Sequence, residues 1–247
     1  MGMLRETVRA IESGELDAKI EFLFCNRDPG QRAATDKFLG FAEQKGIPVV
    51  TLSSYKFRRE RGDLAWERLR ESFDETVITK LAGYDPKITV SAGYMLIAPL
   101  ICQRYPMINE HPALPGQPAG MWQDVIWKLI EMGATETGAM MHVATPDVDL
   151  GPVLSYTKFP IVGDELDWMW FRARGVPIEE LKQREGENFQ LFKAIQELSV
   201  VRERPLLIET LKAIAAGRLD PPHAPPGGPL DLSAIVEAAI TSAKASV

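Results

Sequence analysis

The sequence predicts an α/β fold: a doubly wound, mostly parallel sheet with helices on both faces (Rossmann-type), followed by a helical C-terminal extension. Two observations carry this expectation. Short apolar runs rich in β-branched and aromatic residues alternate with longer stretches whose apolar positions recur at helical spacing. Glycines and prolines punctuate the boundaries between them. Alternation of strand and helix patterns is the mark of βαβ units, whose parallel sheet is covered on both sides. No internal repeat at a fixed period is present, which argues against solenoids and propellers.

The elements follow in order. Leu4, Val8 and Ile11 share a helical face that stops at Gly14. Ile20 to Cys25 is short, apolar and β-prone, and ends in the loop Asn26-Arg27-Asp28-Pro29-Gly30. Residues 31–45 read as a helix, Ile47 to Leu52 as a strand, Leu64 to Leu81 as a helix and Ile88 to Ala92 as another buried strand. Beyond the polar segment at Asn109, residues 119–132 suit a helix. Ala139 to Thr145 and Val153 to Ile161 suit two strands, a pair expected to form an antiparallel edge. Residues 190–217 carry a further helical pattern ending at Gly217.

The run from Pro221 to Pro229 can continue neither helix nor sheet and reads as a linker. After it, Leu232, Ile235, Val236 and Ile240 make an apolar stripe, with Asp231 or Ser233 as caps. The expected organisation is an α/β domain over 1–165, an insertion and C-terminal helix packing on it over 166–220, a Pro/Gly linker over 221–229 and a final helix over 230–247. That last helix would dock on the body or on a partner subunit, which allows a homodimer.

With 247 residues, 45% of them hydrophobic, the chain can bury one good-sized core. A formal charge of -6 argues against a nucleic-acid partner, because phosphate neutralisation needs an excess of Lys and Arg. Cys25 and Cys102 are the only cysteines, and neither has the spacing of a zinc site, so a reducing compartment and no metal are expected. Nucleotide loops of the G-x-x-x-x-G-K-[ST] type and H-E-x-x-H are absent. No apolar run approaches the roughly 18 residues that span a bilayer. Glu6, Glu12 and Glu15 stand where a signal peptide would be apolar, so a cytoplasmic location without a membrane partner is expected. The basic cluster Lys56, Arg58, Arg59 and Arg61 reads first as a solvated face, with an anionic substrate group as the alternative.

The chemistry concentrates in Ile108-Asn109-Glu110-His111-Pro112 and in Thr145 to Pro152. These supply an amide, an imidazole and a carboxylate. An acyl group moving between nitrogens needs a donor that polarises its carbonyl oxygen, a base for the attacking amine's proton, and an anion that holds and charges the base. Asn109, His111 and Asp149 suit those roles in that order. By itself an Asn-x-His at a strand end is more often a turn stabiliser. His142, inside a predicted strand, reads as a satisfied core histidine, His223 as a solvated one, and Trp122, Trp127, Trp168 and Trp170 as core or interface anchors.

Four segments occur in a telling order: Ser91-Ala92-Gly93-Tyr94-Met95-Leu96-Ile97, Asn109-x-His111-Pro112-Ala113-Leu114-Pro115-Gly116, Thr137-Gly138-Ala139-Met140-Met141-His142-Val143, and Asp147-Val148-Asp149-Leu150-Gly151-Pro152. As a set they resemble the formyltransferase family, and within it the folate-dependent branch that formylates glycinamide ribonucleotide in purine synthesis. The similarity runs from about residue 4 to residue 165 and resumes weakly over 190–219. It implies a site at the carboxyl ends of the strands, 10-formyltetrahydrofolate as the formyl-donating co-substrate, and a small-molecule amine, glycinamide ribonucleotide or an amino sugar, as acceptor.

Carried over by position, Asn109 would hydrogen-bond the formyl oxygen and His111 would relay the amine proton. Asp149 would favour the imidazolium of His111 and order a water beside it. Met95, Leu96 and Ile97, with Met107 and the loop from Ala144 through Asp147, would line the folate slot. Related deformylases would use the same three catalytic positions with water as acceptor, and a folate-binding relative without turnover is a third reading. Departures from the family are also visible. Its first strand and glycine-rich phosphate turn are not seen ahead of Leu4, Leu96 stands where Arg is common, and no Glu-His precedes Pro205. The absent strand is central in the family sheet. Two neighbouring strands would then lack partners, at roughly 1 to 3 kcal/mol per buried group, unless the sheet closes the gap by a different pairing.

Overall fold

The computed structural model describes residues 2–245 apart from Met95, Ile97 and Val148; the side chains of Asp164 and Lys244 also lie outside the description. The chain divides into two compact units: residues 3–108 with 144–151, and residues 109–143 with 152–247 and Gly2.

The first unit contains α1 (Gly2–Glu12), β1 (Leu23–Cys25), α2 (Ala33–Gln44), β2 (Val49–Thr51), α3 (Ser54–Arg59), α4 (Arg70–Lys80), β3 (Thr89–Ser91) and α5 (Pro99–Arg104). Strand β4 (Met107–His111) carries the chain out of it. β1 and β2 pair in parallel, Leu23 opposite Val49 and Cys25 opposite Thr51. Because strand side chains alternate, Leu23 and Val49 join Val8, Ala42 and Ile47 against α1 and α2. Phe22, Phe24, Val50 and Leu52 pack the other way, with Phe57 of α3 and Phe73 and Val77 of α4. Helices therefore cover both faces, as predicted.

The helical pattern over 64–81 resolves into two pieces. A 3-10 turn at Trp66–Arg68 precedes α4. Trp66 and Leu69 both turn onto the cluster around Phe73, and a three-residue spacing suits a 3-10 turn. The basic run is helical as far as Arg59, and Arg61 lies in the turn that follows. Ser53 caps α3 by accepting the N–H of Lys56 at 3.2 Å, and Phe57 anchors it. Lys56 pairs with Asp28 at 2.8 Å and Arg61 lies 3.4 Å from the Phe57 ring centre, so part of the basic cluster is engaged within its own unit. The neighbouring ammonium holds the Asp28 carboxyl below its usual range.

Among the described residues the parallel ladder is interrupted, with no new pairing beside β1. β1 and β2 form a two-stranded sheet, and β3 opens a separate ladder beside the start of β4. The N–H of Leu23 donates to Pro48 O at 2.8 Å and that of Leu52 to Cys25 O at 3.2 Å. Leu23 and Cys25 thus face β2, while Phe24 turns its backbone N–H and C=O to the opposite edge, where no ladder partner exists among the described residues.

The second unit contains the end of β4, α6 (Trp122–Glu131), β5 (Glu136–Val143), β6 (Val153–Pro160), α7 (Asp167–Ala173), α8 (Ile178–Arg184), α9 (Gln190–Ala215), β7 (Leu230–Asp231) and α10 (Ser233–Ala245). Its strands lie in the order β4-β5-β6-β7. β5 and β6 are antiparallel, as expected, from Glu136 opposite Pro160 to His142 opposite Val153. β6 is not the edge, however. The prolines stop at Pro229, and the two residues that follow can pair, so β7 adds to β6 with Ser155 opposite Leu230. The final helix docks on its own unit: Leu232 and Val236 are buried and Arg202 Nε donates to Glu237 at 2.6 Å, leaving Ile235 exposed.

Residues 166–189 are part of the same core. Trp127 of α6 lies 4.8 Å from Phe192 of α9 and stacks on Phe189 at 6.3 Å. Leu181 of α8 is buried with them, and Trp122 and Trp170 pack on the cluster while Trp168 is exposed. On β5, a Cβ at Gly138 would collide with the Thr157 carbonyl and with the Leu114 side chain. Glycine there lets the turn after β4 seat Leu114 directly on the strand.

Two outcomes follow from this packing. Amide exchange measured by NMR should be at least about tenfold faster for Phe24 than for Leu23, because only the latter is bonded within the ladder; equal protection would show that the outer edge of β1 is paired in solution. Gly138→Ala should cost about 1–3 kcal/mol in a denaturant melt. An unchanged midpoint would mean that Leu114 moves aside freely.

Candidate active site

Asn109 and His111 stand two residues apart on β4, so their side chains leave the strand on the same side. His111 is only 3% exposed. Its Nε2 lies 3.2 Å from the Pro118 carbonyl, which can only accept, so Nε2 carries a hydrogen. The turn that brings Pro118 back is laced to β5. Ala113 N–H donates to His111 O and Gln117 N–H to Leu114 O, each at 2.9 Å. The Gln117 carboxamide accepts from Leu114 N–H at 3.1 Å and from the Thr137 hydroxyl at 3.0 Å, and donates to Glu136 O at 2.9 Å.

The third member of this cluster is His142. The β5–β6 register slips between Met141, opposite Ser155, and His142, opposite Val153. Such a bulge re-aims the side chain beside it. His142 is buried, and its Nδ1 donates to Val143 O at 3.1 Å. Its Nε2 is therefore an acceptor, and Asn109 Nδ2 approaches it at 3.4 Å. The two imidazoles meet edge to face with ring centres 6.5 Å apart. The reading of His142 as a satisfied core histidine is right about its bonding, but its partner is the amide expected to polarise a carbonyl. The signal in the sequence was a polar ring in the otherwise apolar run from Ala139 to Val143, which a buried strand tolerates only with a partner.

The other predicted residues fall in the first unit. The loop from Ala144 to Gly151 is pinned where Ala144 N–H donates to Met107 O at 2.8 Å. It tightens where the Thr145 hydroxyl and the Leu150 N–H both reach Asp147 O, at 2.7 and 3.3 Å. Asp149 is half-buried and takes a positive φ of 58°, a conformation that Asp accepts more readily than most residues. The structure thus brings Asn109, His111 and His142 together in one unit and assigns Asp149 to the other.

Of the expected folate-slot residues, Leu96 and Met107 are half-buried against the cluster that holds Phe73 and Tyr105. Ala144 is tied to Met107 through its backbone, and Asp147 is exposed. Met95 and Ile97 lie outside the described residues. An apolar wall beside a loop rich in backbone groups suits a flat heteroaromatic ring with polar edges.

Comparison with known proteins places the chain in a family. The pattern of the formyl transferase family matches residues 2–168, well over half of the chain. The phosphoribosylglycinamide formyltransferase of Escherichia coli is 27% identical over 169 residues, 66% of this chain and 71% of its own length. That of Mycobacterium tuberculosis is 28% identical over 137 residues; the match spans less than two thirds of that relative, 58% of its length. Among solved structures, the phosphoribosylglycinamide formyltransferase of Coxiella burnetii superposes with a TM-score of 0.58 at 26% identity, over 90% of this chain and 85% of that one. A formyltetrahydrofolate deformylase of Pseudomonas syringae shares the fold, with a TM-score of 0.56 at 20% identity, over 87% of this chain and 58% of that one. The matched region includes β4, β5 and the loop that holds Asp149, and the chain belongs to the formyl transferase family.

Proposed function

We propose that this chain moves the formyl group of 10-formyltetrahydrofolate onto a primary amine, with glycinamide ribonucleotide as the first acceptor to test and an amino sugar as the second. The observation that carries the reading is the part-buried hydrogen bond from the Asn109 amide to His142, set beside His111. One N–H of the Asn109 amide is spent on His142, which fixes the plane of the group. The second N–H is then a pre-oriented donor for a carbonyl oxygen that gains negative charge, and such donors act strongly where water is excluded.

His111 takes the proton that the amine sheds on attack. With Nε2 held by Pro118 O, the proton arrives at Nδ1, and the ring becomes an imidazolium that a nearby anion stabilises. We assign that anion to Asp149, by its place before the Gly151-Pro152 step. Leu96, Met107, Ala144 and Asp147, with Met95 and Ile97, form the folate side, the first two by apolar contact and the loop by backbone hydrogen bonds. We place the chemistry within residues 1–165 and the protein in the cytoplasm; no helix among the described residues is long and apolar enough to cross a membrane.

Replacing single groups tests these roles. His111→Ala should lower kcat by about 10²- to 10⁴-fold while tetrahydrofolate binding stays within about twofold, because a base contributes to the reaction rather than to the ground state. Full turnover in that variant would remove His111 from the mechanism. Asn109→Ala should cost about 10²- to 10³-fold in kcat. His142→Phe keeps a ring but no acceptor; it should cost less, about tenfold, by freeing the Asn109 amide to rotate. A His142→Phe enzyme as fast as the parent would show that the amide needs no such hold.

A further inference from the structure

Asp74 lies in the middle of α4, is 1% exposed, and takes no part in the chemistry proposed above. Its Oδ2 accepts the backbone N–H of Leu100 at 3.0 Å and that of Ile101 at 3.4 Å. These are the second and third residues of α5, whose first residue is Pro99 and whose N-cap is Ala98. A helix leaves its first N–H groups without internal partners. Proline removes one of them, and a side chain at the N-cap normally serves the next two. Ala98 has no group that can do this. The cap is supplied instead by a carboxylate from a different helix, 26 residues earlier in the chain.

That first turn is where the segment carrying Tyr94, Leu96 and Ala98 ends. Leu96 and Ala98 pack on the cluster that contains Phe73, next to Asp74 on α4, and Ile101 of α5. The Tyr94 ring sits 6.1 Å from that of Phe24, and its hydroxyl is buried without a hydrogen-bond partner. Apolar packing sets the lateral position of this segment, but dispersion contacts are not directional. Two converging hydrogen bonds to one oxygen fix distance and orientation together.

We propose that Asp74 is a positioning residue whose ionised carboxylate holds the first turn of α5 and so sets the wall of the folate slot that Leu96 provides. The inference rests on the folate reading given under Proposed function. It adds a group outside the slot that decides its shape.

The surroundings make this hold sensitive to pH. Burial raises the Asp74 carboxyl to about 6, against the two backbone N–H groups, which favour its ionised form. Glu71 on the same helix raises it further. Across from it, burial raises Tyr94 and Cys102 of α5, and the charge of Asp74 raises both further. As pH falls through about 6 the carboxylate takes up a proton, and a neutral acid accepts an N–H more weakly than a carboxylate does. The sign for the whole fold is opposite. A carboxyl raised above its ordinary value binds its proton more tightly in the folded state, so its contribution to stability grows as pH drops from about 6 toward 4. A loosened slot in a protein that is not otherwise unfolding separates local positioning from general acid damage.

The test combines amide shifts with tetrahydrofolate binding by calorimetry between pH 5.5 and 7.5. In the parent protein the Leu100 and Ile101 amide resonances should move with a midpoint near 6, and tetrahydrofolate should bind about two- to threefold more weakly at pH 5.5, where roughly three quarters of the carboxyl is protonated and the loss of the full cap is worth about fivefold. Asp74→Asn keeps an acceptor but cannot titrate; its amide shifts and its affinity should be flat over this range. Asp74→Ala should bind about fivefold more weakly at pH 7.5, with kcat at saturating folate within about twofold of the parent. Immobile Leu100 and Ile101 amides, an Asp74→Asn profile that follows the parent's, or a folded Asp74→Ala protein with parental affinity would overturn the proposal. If the parent bound no tetrahydrofolate at any pH, the folate reading would fail, and the hold on α5 would be judged on the two amides alone.

Discussion

His111 and His142 lie buried on adjacent strands with Asn109 half-buried beside them, and that burial constrains everything around them. A buried ring nitrogen or amide hydrogen without a partner costs about as much as a lost hydrogen bond, roughly 1 to 3 kcal/mol. Each imidazole therefore commits one nitrogen to a main-chain carbonyl, His111 to Pro118 and His142 to Val143. Those commitments settle the tautomers, and the tautomers settle what the other nitrogens can do. His142 is left to accept from Asn109, and His111 is held through Nε2. The chemistry follows from backbone geometry more than from the side chains alone.

The supporting features of the second unit serve that geometry. The bulge beside His142 turns its ring toward Asn109. Gly138 gives up its side chain so that Leu114 can lie on β5, and Gln117 ties the same turn to Thr137 and Glu136, which keeps Pro118 at hydrogen-bond distance from His111. Behind these strands the aromatic core of Trp127, Phe189 and Phe192 joins α6 to α9 and recruits α8 through Leu181. A polar cluster without such a scaffold would exchange among rotamers and lose its orientation.

Much of this was legible in the sequence because the signals were strong and local. The period-two and helical patterns predicted the covered β1–β2 pair, the antiparallel β5–β6 pair and the long helix α9. The signals failed where the cause was tertiary. α5 has no cap of its own, and its acceptor comes from Asp74 on another helix. β7 is two residues long and pairs only because β6 offers an edge. The break at Trp66–Arg68 follows from a need to seat Trp66 and Leu69 on Phe73, which periodicity alone does not register. His142 looked like core because it is core; its link to Asn109 depends on a one-residue slip between strands. The family pattern raised the question of how β1 is paired and left it open; among the described residues, β1 pairs with β2 alone.

The site also spreads over the chain's path in an instructive way. The chain leaves the first unit after Ile108, returns at Ala144 and leaves again after Gly151, so residues on either side of those crossings belong to different compact bodies. The described residues of the proposed folate wall fall in one of them, and the amide and imidazoles in the other. The most direct test of the central claim is to follow a ¹³C-formyl label on 10-formyltetrahydrofolate by NMR, with and without glycinamide ribonucleotide. The account predicts an amine-dependent formamide signal and a stable donor when the amine is left out. Label released as formate whether or not the amine is present, or label that stays on the folate in both mixtures, would contradict it.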